Sequence, residues 1–202
     1  MKTTEKIMQK KTAIKEEMDK YLSKAQSDAL WQQATARLGA YLDRFSDLPK
    51  GVRLHTDNKI LPMAAVYLTI KDAVDQETAY KIVEDAAVRK CKGIEKMLQR
   101  LMKLPGMRSL FVRIWDPLTG KIFGPNSGFK NTFFPKRKGE YRMDVTSCPY
   151  FRYLTELGCP ELTRIFCEND ERIYGDLPGI RFERTGTLGK GASRCDFRIR
   201  KV

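Results

Sequence analysis

The sequence lacks the features of secreted and membrane-spanning proteins. It contains no uninterrupted apolar run of about 18 residues, the length that a helix needs to cross a bilayer. Its first residues, MKTTEKIMQKKTAIKEE, carry charge throughout and leave no room for the apolar core of a signal peptide. We therefore expect a soluble, cytoplasmic protein without a membrane partner.

Cysteine pairs and histidine are also scarce. The five cysteines form an odd set without a Cys-x-x-Cys motif, which excludes a complete disulfide framework and a standard zinc knuckle. Four of them are separated by 10, 7 and 27 intervening residues, so no closely spaced pair is available to organise a zinc site: Cys148, Cys159, Cys167 and Cys195. We expect reduced thiols, no metal and no cofactor.

Positive charge is abundant but concentrated in one part of the chain. The net charge is +13, and residues 81–139 hold 14 lysines and arginines against 4 aspartates and glutamates. No RNA-recognition octapeptide, GXXG loop between helices or C2H2 spacing accompanies this excess. We therefore expect no nucleic-acid partner, and the basic surface favours anionic small molecules instead.

The hydrophobic pattern of the first half is helical. Apolar residues recur at helical spacing over residues 7–45, with a cap-like Ser27-Asp28 between two series. A further helix is predicted over residues 61–74, and the clearest amphipathic stripe predicts another over residues 76–104.

The pattern changes after residue 104. A mixed stretch over residues 107–125 precedes short runs rich in aromatic and β-branched residues, which are typical of strands. The predicted strands cover residues 129–134, 142–146, 180–188 and 194–202, with short helices over 149–157 and 160–170. We expect an α+β fold, in which a helical N-terminal half is followed by a small, mostly antiparallel β-sheet with short helices.

Two units are predicted within this fold. Residues 1–49 form a helical N-terminal arm, and residues 50–202 form an α+β domain. An arm of this length suits contact with another chain, so we expect homodimer formation through the N-terminal helices.

The best local constellation combines a thiol with a carboxylate. On the predicted helix that begins at Pro160, helical spacing aligns Thr163, Cys167 and Asp170 along one side. The same spacing also suits a core cysteine followed by a capping aspartate. In the last strand, alternation turns Cys195 inward and Asp196 outward.

His55 is the one histidine of the chain. A lone histidine is commonly a hydrogen-bonded core or surface residue. If the protein uses an imidazole in catalysis, however, His55 must supply it.

Three segments resemble the L-2-amino-thiazoline-4-carboxylic acid hydrolase family. They are HTDNKILPMAAVYLTIKDA, SCPYFRYLTELGCPELTRIFCENDERIY and IRFERTGTLGKGASRCDFRIR, and the resemblance covers roughly residues 50–201. Its most specific parts are Gly158-Cys159-Pro160-Glu161, Phe166-Cys167 with Asp170, and Thr187-Leu188-Gly189-Lys190-Gly191 with Cys195-Asp196-Phe197. The resemblance implies a hydrolase that opens a cyclic amidine at a carbon–nitrogen bond.

Such a reaction requires a nucleophile, proton transfer and a cation for the substrate carboxylate. The resemblance implies Cys167 as nucleophile, Asp170 as base or orienting acid and His55 as proton shuttle, with Cys159 and Cys195 in the same catalytic group. The residues implied in substrate binding are Thr187, Gly189, Lys190, Gly191, Arg194 and Asp196. Lys190 or Arg194 would anchor the carboxylate, whereas the Gly-Lys-Gly turn would either donate backbone N–H groups to developing charge or serve as a plain hairpin turn.

The expected ligand is a small, carboxylated, nitrogen-containing molecule. We expect its pocket where residues 159–170 meet residues 187–196, because the helix side that bears Cys167 must pack against the nearest sheet face. The alternative function is a non-catalytic small-molecule or redox-sensing binding module. Reactive, partly exposed thiols indicate the enzyme, and inert thiols in an apolar pocket indicate the binding module.

Overall fold

The computed structural model describes residues 3–135 and 137–202. Helices fill the first half: α1 (Thr3–Gln9), α2 (Thr12–Tyr21), α3 (Lys24–Arg44), α4 (Lys50–His55), α5 (Leu61–Lys71) and α6 (Gln76–Met102), with a π-helical turn, Thr56–Ile60, between α4 and α5. The second half contains α7 (Met107–Ile122), β1 (Lys130–Phe133), β2 (Glu140–Ser147), α8 (Pro149–Glu156), α9 (Leu162–Tyr174), β3 (Ile180–Glu183) and β4 (Cys195–Lys201). The predicted α+β fold is confirmed.

The four strands form one antiparallel sheet in the order β1-β2-β4-β3. Between β2 and β4, the register pairs Tyr141 with Ile199 and Val145 with Cys195. Alternate residues of a strand share a face, so these side chains all lie on the buried side of the sheet. The alternation predicted for Cys195 is therefore observed.

Residues 107–122 form helix α7, which the sequence analysis did not predict. Pro117 lies inside the helix and costs it a backbone hydrogen bond, so the local signal is weak. The side chains that it buries recur at helical spacing and pack against the sheet: Phe111, Val112, Trp115 and Thr119. Tertiary packing of this apolar side outweighs the local cost of the proline.

The N-terminal cap of α3 is Ser23, and the prediction of a cap at Ser27-Asp28 is wrong. The Ser23 side chain accepts a hydrogen bond from the Gln26 backbone N–H, and the Gln26 side chain accepts one from the Ser23 N–H. This capping box satisfies two backbone donors of the first turn, so the helix begins earlier. Ser27 instead lies buried within it.

Two hydrophobic cores organise the molecule. The first is helical and contains Met18, Leu38, Tyr67, Ile82, Leu154 and Ile165. The second lies between α7, the end of α6 and the sheet, and contains Met102, Phe111, Trp115, Met143, Val145 and Ile199. Tyr150 of α8 packs against both cores.

The N-terminal helices contribute directly to the first core. Helix α3 packs along α5, and α2 packs on α6. Within the described ranges, no helix is long and apolar enough to span a membrane. The division into an arm, 1–49, and a domain, 50–202, and the homodimer both stay predictions.

Truncating Leu38 should destabilise the whole chain. Leu38 is 0% exposed, so Leu38→Ala should lower the free energy of unfolding by about 2–5 kcal/mol. Leu54→Ala is the matched control, because Leu54 is 53% exposed and its truncation should change that energy by less than about 0.5 kcal/mol. Urea unfolding followed by circular dichroism measures both values. Equal effects in the two variants would contradict the placement of α3 in the core.

Candidate active site

A cavity of about 420 Å³ lies where the two cores meet. The first core supplies Ile14, Met63 and Ala87 to its wall, and the second supplies Trp115, Phe129 and Met143. Its volume is within the range of small-molecule binding sites, and its walls are mainly apolar. This cavity is the natural candidate for a ligand site.

Three of the four clustered cysteines reach this cavity. Helix α9 contributes Cys167 and Asp170 to its wall, and β4 contributes Cys195. Cys148, the residue before α8, also lines the cavity. Cys91 of α6 also lines the wall. Cys159 does not, because it is fully buried in the helical core behind α9. The structure thus brings together Cys167, Asp170 and Cys195, as their spacing predicts, and separates Cys159 from them.

Cys167 differs from the other thiols in its ionisation. Donors around its sulfur lower its pKa to about 7: the Cys195 S–H, the Thr187 hydroxyl and the Gly189 backbone N–H, with the Arg184 cation nearby. Burial opposes them and is outweighed. The lowered pKa favours the thiolate of Cys167, which is the form that acts as a nucleophile.

The remaining thiols are held neutral. Burial raises the pKa of Cys91, and raises the pKa values of Cys148 and Cys159 to about 12. The interaction with Cys167, followed by burial, raises the pKa of Cys195, because the two neighbouring thiols titrate as a pair and do not both ionise together. The cavity thus contains one activated thiol among inert ones.

Gly189 permits a close approach between its loop and α9. A Cβ atom at this position would lie 3.0 Å from Cys167 Sγ and 2.9 Å from Thr163 Cγ2. Only glycine therefore allows the loop to lie this close to Cys167 without displacing α9. The Thr187 hydroxyl is buried and has no hydrogen-bond partner among the described residues, and its proximity lowers the pKa of Cys167.

Asp196 orders this loop. Its carboxylate accepts hydrogen bonds from the backbone N–H groups of Thr185, at 3.0 and 3.1 Å, and of Gly186, at 2.9 Å. It also accepts one from the Thr185 hydroxyl at 2.8 Å. These bonds turn the chain away from the sheet, so β3 ends at Glu183 and not at the predicted residue 188. Asp196 does not line the cavity, and it acts on Cys167 through the loop.

Sequence analysis missed Arg184, which is 98% buried at its side chain and lines the cavity. Its guanidinium donates to Asp170 Oδ2 at 2.9 Å and to the Cys167 carbonyl at 2.6 Å. It also lies over the rings of Phe182 and Phe197, at 5.4 and 5.3 Å. Arg184 directly follows strand β3, and this position was the one hint in the sequence. The chain contains many arginines, and no sequence pattern distinguishes Arg184 from the others.

Burial raises the pKa of Asp170 to about 6, against the opposing effect of Arg184. The Asp170 side chain is 34% exposed, and it lines the cavity. A carboxyl group with this pKa can both release and accept a proton near neutral pH. Asp170 is therefore suited to proton transfer beside the thiolate.

His55 does not line the cavity, and both of its ring nitrogens are occupied. Its Nε2 lies 2.9 Å from the Ile122 carbonyl, which can only accept, so the neutral ring carries its proton on Nε2. Its Nδ1 then accepts a hydrogen bond from the Tyr150 hydroxyl at 3.0 Å. Burial lowers the pKa of His55 and favours this neutral form. The histidine thus orients Tyr150, which does line the cavity.

The two cations expected to anchor a carboxylate are engaged elsewhere. Lys190 forms an ion pair with Glu168 at 3.3 Å, and Arg194 forms one with Asp144 at 3.2 Å. Neither they nor Gly189 and Gly191 line the cavity, and Lys190 ends a 3₁₀ turn, Leu188–Lys190. The cations that do reach the cavity, besides Arg184, are Lys10, Lys11, Lys59 and Lys90. Over residues 3–135 and 137–202, no three acidic, histidine or cysteine side chains are arranged to hold a metal ion.

Comparison with known proteins gives one family match. The family model described as L-2-amino-thiazoline-4-carboxylic acid hydrolase matches residues 53–199, which is most of the chain. The match includes the cavity residues on α6 to α9 and on the sheet, and it excludes α1 to α3. No curated protein and no solved structure matches the sequence.

Cys167 should be the most reactive thiol of the protein. Iodoacetamide should label it with a midpoint near pH 7, whereas Cys91 and Cys159 should label slowly, because their thiols stay protonated. Cys195→Ala should move the midpoint toward the ordinary value of about 8.5, while Cys148→Ala should leave it in place. Peptide mapping by mass spectrometry after timed labelling gives each rate. Equal rates at Cys167 and Cys91 would show that the thiol is not activated.

Adding one methyl group at Gly189 should raise the pKa of Cys167 and so lower its thiolate fraction at pH 7. Gly189→Ala should push the loop away from Cys167, remove the backbone donor and slow labelling at pH 7 by roughly tenfold. Gly93→Ala on α6 is the matched control, because a Cβ there meets nothing within 4 Å. The pH profile of labelling distinguishes the two variants. An unchanged profile in Gly189→Ala would mean that the close approach does not govern the pKa of Cys167.

Proposed function

The chain belongs to the L-2-amino-thiazoline-4-carboxylic acid hydrolase family, and we propose that it hydrolyses a carbon–nitrogen bond of a cyclic amidine such as L-2-amino-thiazoline-4-carboxylate. The observation that carries this proposal is the selective activation of one cavity thiol, Cys167, beside an aspartate whose pKa is near neutral. Nucleophile and proton carrier are the two groups that such a ring opening requires.

In the first step, Cys167 Sγ attacks the amidine carbon of the substrate. The substrate reacts as its imino tautomer: a carbon–sulfur bond forms, and the electron pair of the exocyclic carbon–nitrogen double bond moves to the exocyclic nitrogen. That pair then re-forms the double bond as the bond from the same carbon to the ring nitrogen breaks, and the departing ring nitrogen takes one proton. Protonated Asp170 supplies that proton, since a pKa of about 6 leaves part of the population protonated near neutral pH.

In the second step, water replaces the enzyme sulfur. Ionised Asp170 accepts one proton from the water as the water oxygen attacks the same carbon, and the second water proton passes to the imino nitrogen, which becomes the NH2 of the product. The bond to Cys167 Sγ breaks, and its electron pair restores the thiolate. One water molecule is consumed, no electrons are gained or lost, and the substrate becomes an open-chain carbamoyl compound.

The neighbouring residues are assigned supporting roles. The Gly189 N–H, the Thr187 hydroxyl and the Cys195 S–H stabilise the thiolate as nucleophile and as leaving group. Arg184 positions Asp170 through the 2.9 Å hydrogen bond, and His55 positions Tyr150 at the cavity wall. In this proposal His55 is a positioning residue and transfers no proton to the substrate.

The alternative of a ligand-binding module predicts a different pattern of thiols, whereas a redox sensor would share the activated cysteine, and turnover separates it from the enzyme. A ligand pocket without turnover has no need for one cysteine to be activated while its neighbours are held neutral. The contrast between Cys167 and the raised pKa values of Cys91 and Cys148 supports the enzyme.

Turnover of L-2-amino-thiazoline-4-carboxylate tests the proposal directly. Cys167→Ser should lower kcat by about three orders of magnitude or more, because a hydroxyl of ordinary pKa replaces the thiolate. Cys91→Ser is the matched control, since it makes the same substitution in the same cavity at an inert thiol, and it should keep kcat within about threefold. Chromatography of the open-chain product gives both rates, and mass spectrometry of acid-quenched enzyme should detect the adduct on Cys167.

Two results would contradict the proposal. Full turnover by Cys167→Ser would remove the thiol from the mechanism. A wild-type protein that binds cyclic amidines, protects Cys167 from iodoacetamide and shows no product would instead be a binding module.

A further inference from the structure

Four lysines line the cavity together with the thiols. Lys10 and Lys11 lie at the turn between α1 and α2, Lys59 lies in the π-helical turn, and Lys90 lies on α6. They come from three separate segments of the helical half and meet at one wall. Their convergence is a property of the tertiary fold, since 30 residues lie between the last two along the sequence.

Within residues 3–135 and 137–202, no acidic side chain forms an ion pair with Lys11, Lys59 or Lys90. Among the described residues, the ammonium group of Lys11 donates only to the Asn58 carbonyl, at 2.6 Å. Nearby Lys15, by contrast, pairs with both Asp19 and Asp28. Like charges held close together without counter-charges form an unfavourable arrangement that a bound anion relieves.

The ionisation of the lysines reflects this crowding. Burial, followed by the charges of Lys90, Lys59 and Lys10, lowers the pKa of Lys11 to about 8. Burial and Lys90 also lower the pKa of Lys59. An anion bound among these lysines would stabilise their charged forms, so binding and proton uptake would be linked.

The four lysines line the same cavity as the thiols of Cys167 and Cys195. Cys91 follows Lys90 on α6, and it lines the same cavity as Lys59 and Asp170. The wall between the lysines and the thiols is mainly apolar and includes Ala86, Ala87, Ile94, Leu118 and Ile173. The cavity therefore has a reactive end, an apolar middle and a cationic end.

We propose that Lys11, Lys59 and Lys90 bind the anionic end of an elongated substrate whose apolar middle fills the cavity and whose cyclic amidine lies at Cys167. The placement of the amidine rests on the proposed function, whereas the anion site stands on the lysines and the apolar wall. The cavity volume of about 420 Å³ supports a ligand larger than one five-membered ring. Lys11 precedes the segment that the family model matches, so the first helices add specificity to the family's site.

Octanoate is a simple probe, because it joins a carboxylate to an apolar chain and lacks an amidine. Calorimetry should detect its binding to Cys167→Ser, where turnover plays no part, and should find 1-octanol at least about tenfold weaker. Three variants each remove one cation: Lys11→Met, Lys59→Met and Lys90→Met. Each should lower the affinity for octanoate by about tenfold and leave the affinity for 1-octanol unchanged. Octyl phosphate, measured beside octanoate, shows which anionic group the site prefers.

Lys96→Met is the matched control for these variants. Lys96 is exposed on α6, as is Lys90, but it does not line the cavity, so octanoate affinity should stay within about twofold. A second readout is pH: octanoate should bind with proton uptake near pH 8, and the uptake should disappear in Lys11→Met. The other titratable groups that face Lys11 are Lys10, Lys59 and Lys90.

The outcomes separate this inference from the proposed function. Absent octanoate binding, equal binding of octanoate and 1-octanol, or equal losses in Lys96→Met and Lys90→Met would overturn the anion site, even if cyclic amidines are hydrolysed. Lysine-dependent octanoate binding by a protein without hydrolase activity would uphold the anion site and refute the proposed reaction.

Discussion

The site depends on the hydrogen bonds that the buried guanidinium of Arg184 donates to α9. The guanidinium joins the end of β3 to α9 through Asp170 and through the carbonyl of Cys167. A buried cation is costly to desolvate, and the loss of either partner would leave a charge without compensation. Because α9 bears both the thiol and the carboxyl group, this one contact fixes the reactive residues relative to the loop that activates them.

The same burial makes the site a source of instability at neutral pH. Asp170 binds its proton more tightly in the folded chain than in the unfolded chain, because its pKa rises from 3.8 to about 6. The folded state therefore gains from this group at low pH and loses that gain as the pH rises from about 4 to about 6. In the proposed reaction, a carboxyl group with a pKa near neutral would serve proton transfer at the expense of stability.

Local periodicity predicted much of this arrangement. Helical spacing placed Thr163, Cys167 and Asp170 on one side of α9, and strand alternation turned Cys195 toward them. These relations depend only on neighbours along the chain. The apolar stripe of α6 and the antiparallel strands were predictable for the same reason.

The features that escaped prediction depend on contacts between distant segments. Helix α7 forms despite Pro117 because the sheet and α6 bury its apolar side, and Cys159 is separated from the other thiols because it faces a different core. Arg184 is indistinguishable from its many neighbours until α9 is placed beside it. The cavity itself arises where two cores meet, so its shape is encoded by their relative position and by no single segment.

Because the cavity lies where the two cores meet, substitutions in either core can affect it. Residues of both cores line the cavity, and Tyr150 contacts both while His55 holds its hydroxyl. Reacting groups must be placed to within a fraction of an ångström, and a shift of about 1 Å can lower a rate by about a hundredfold. A core substitution far from Cys167 can therefore impair the chemistry before it unfolds the chain, because a small movement of one core relative to the other changes the distance between the activated thiol and the bound ligand.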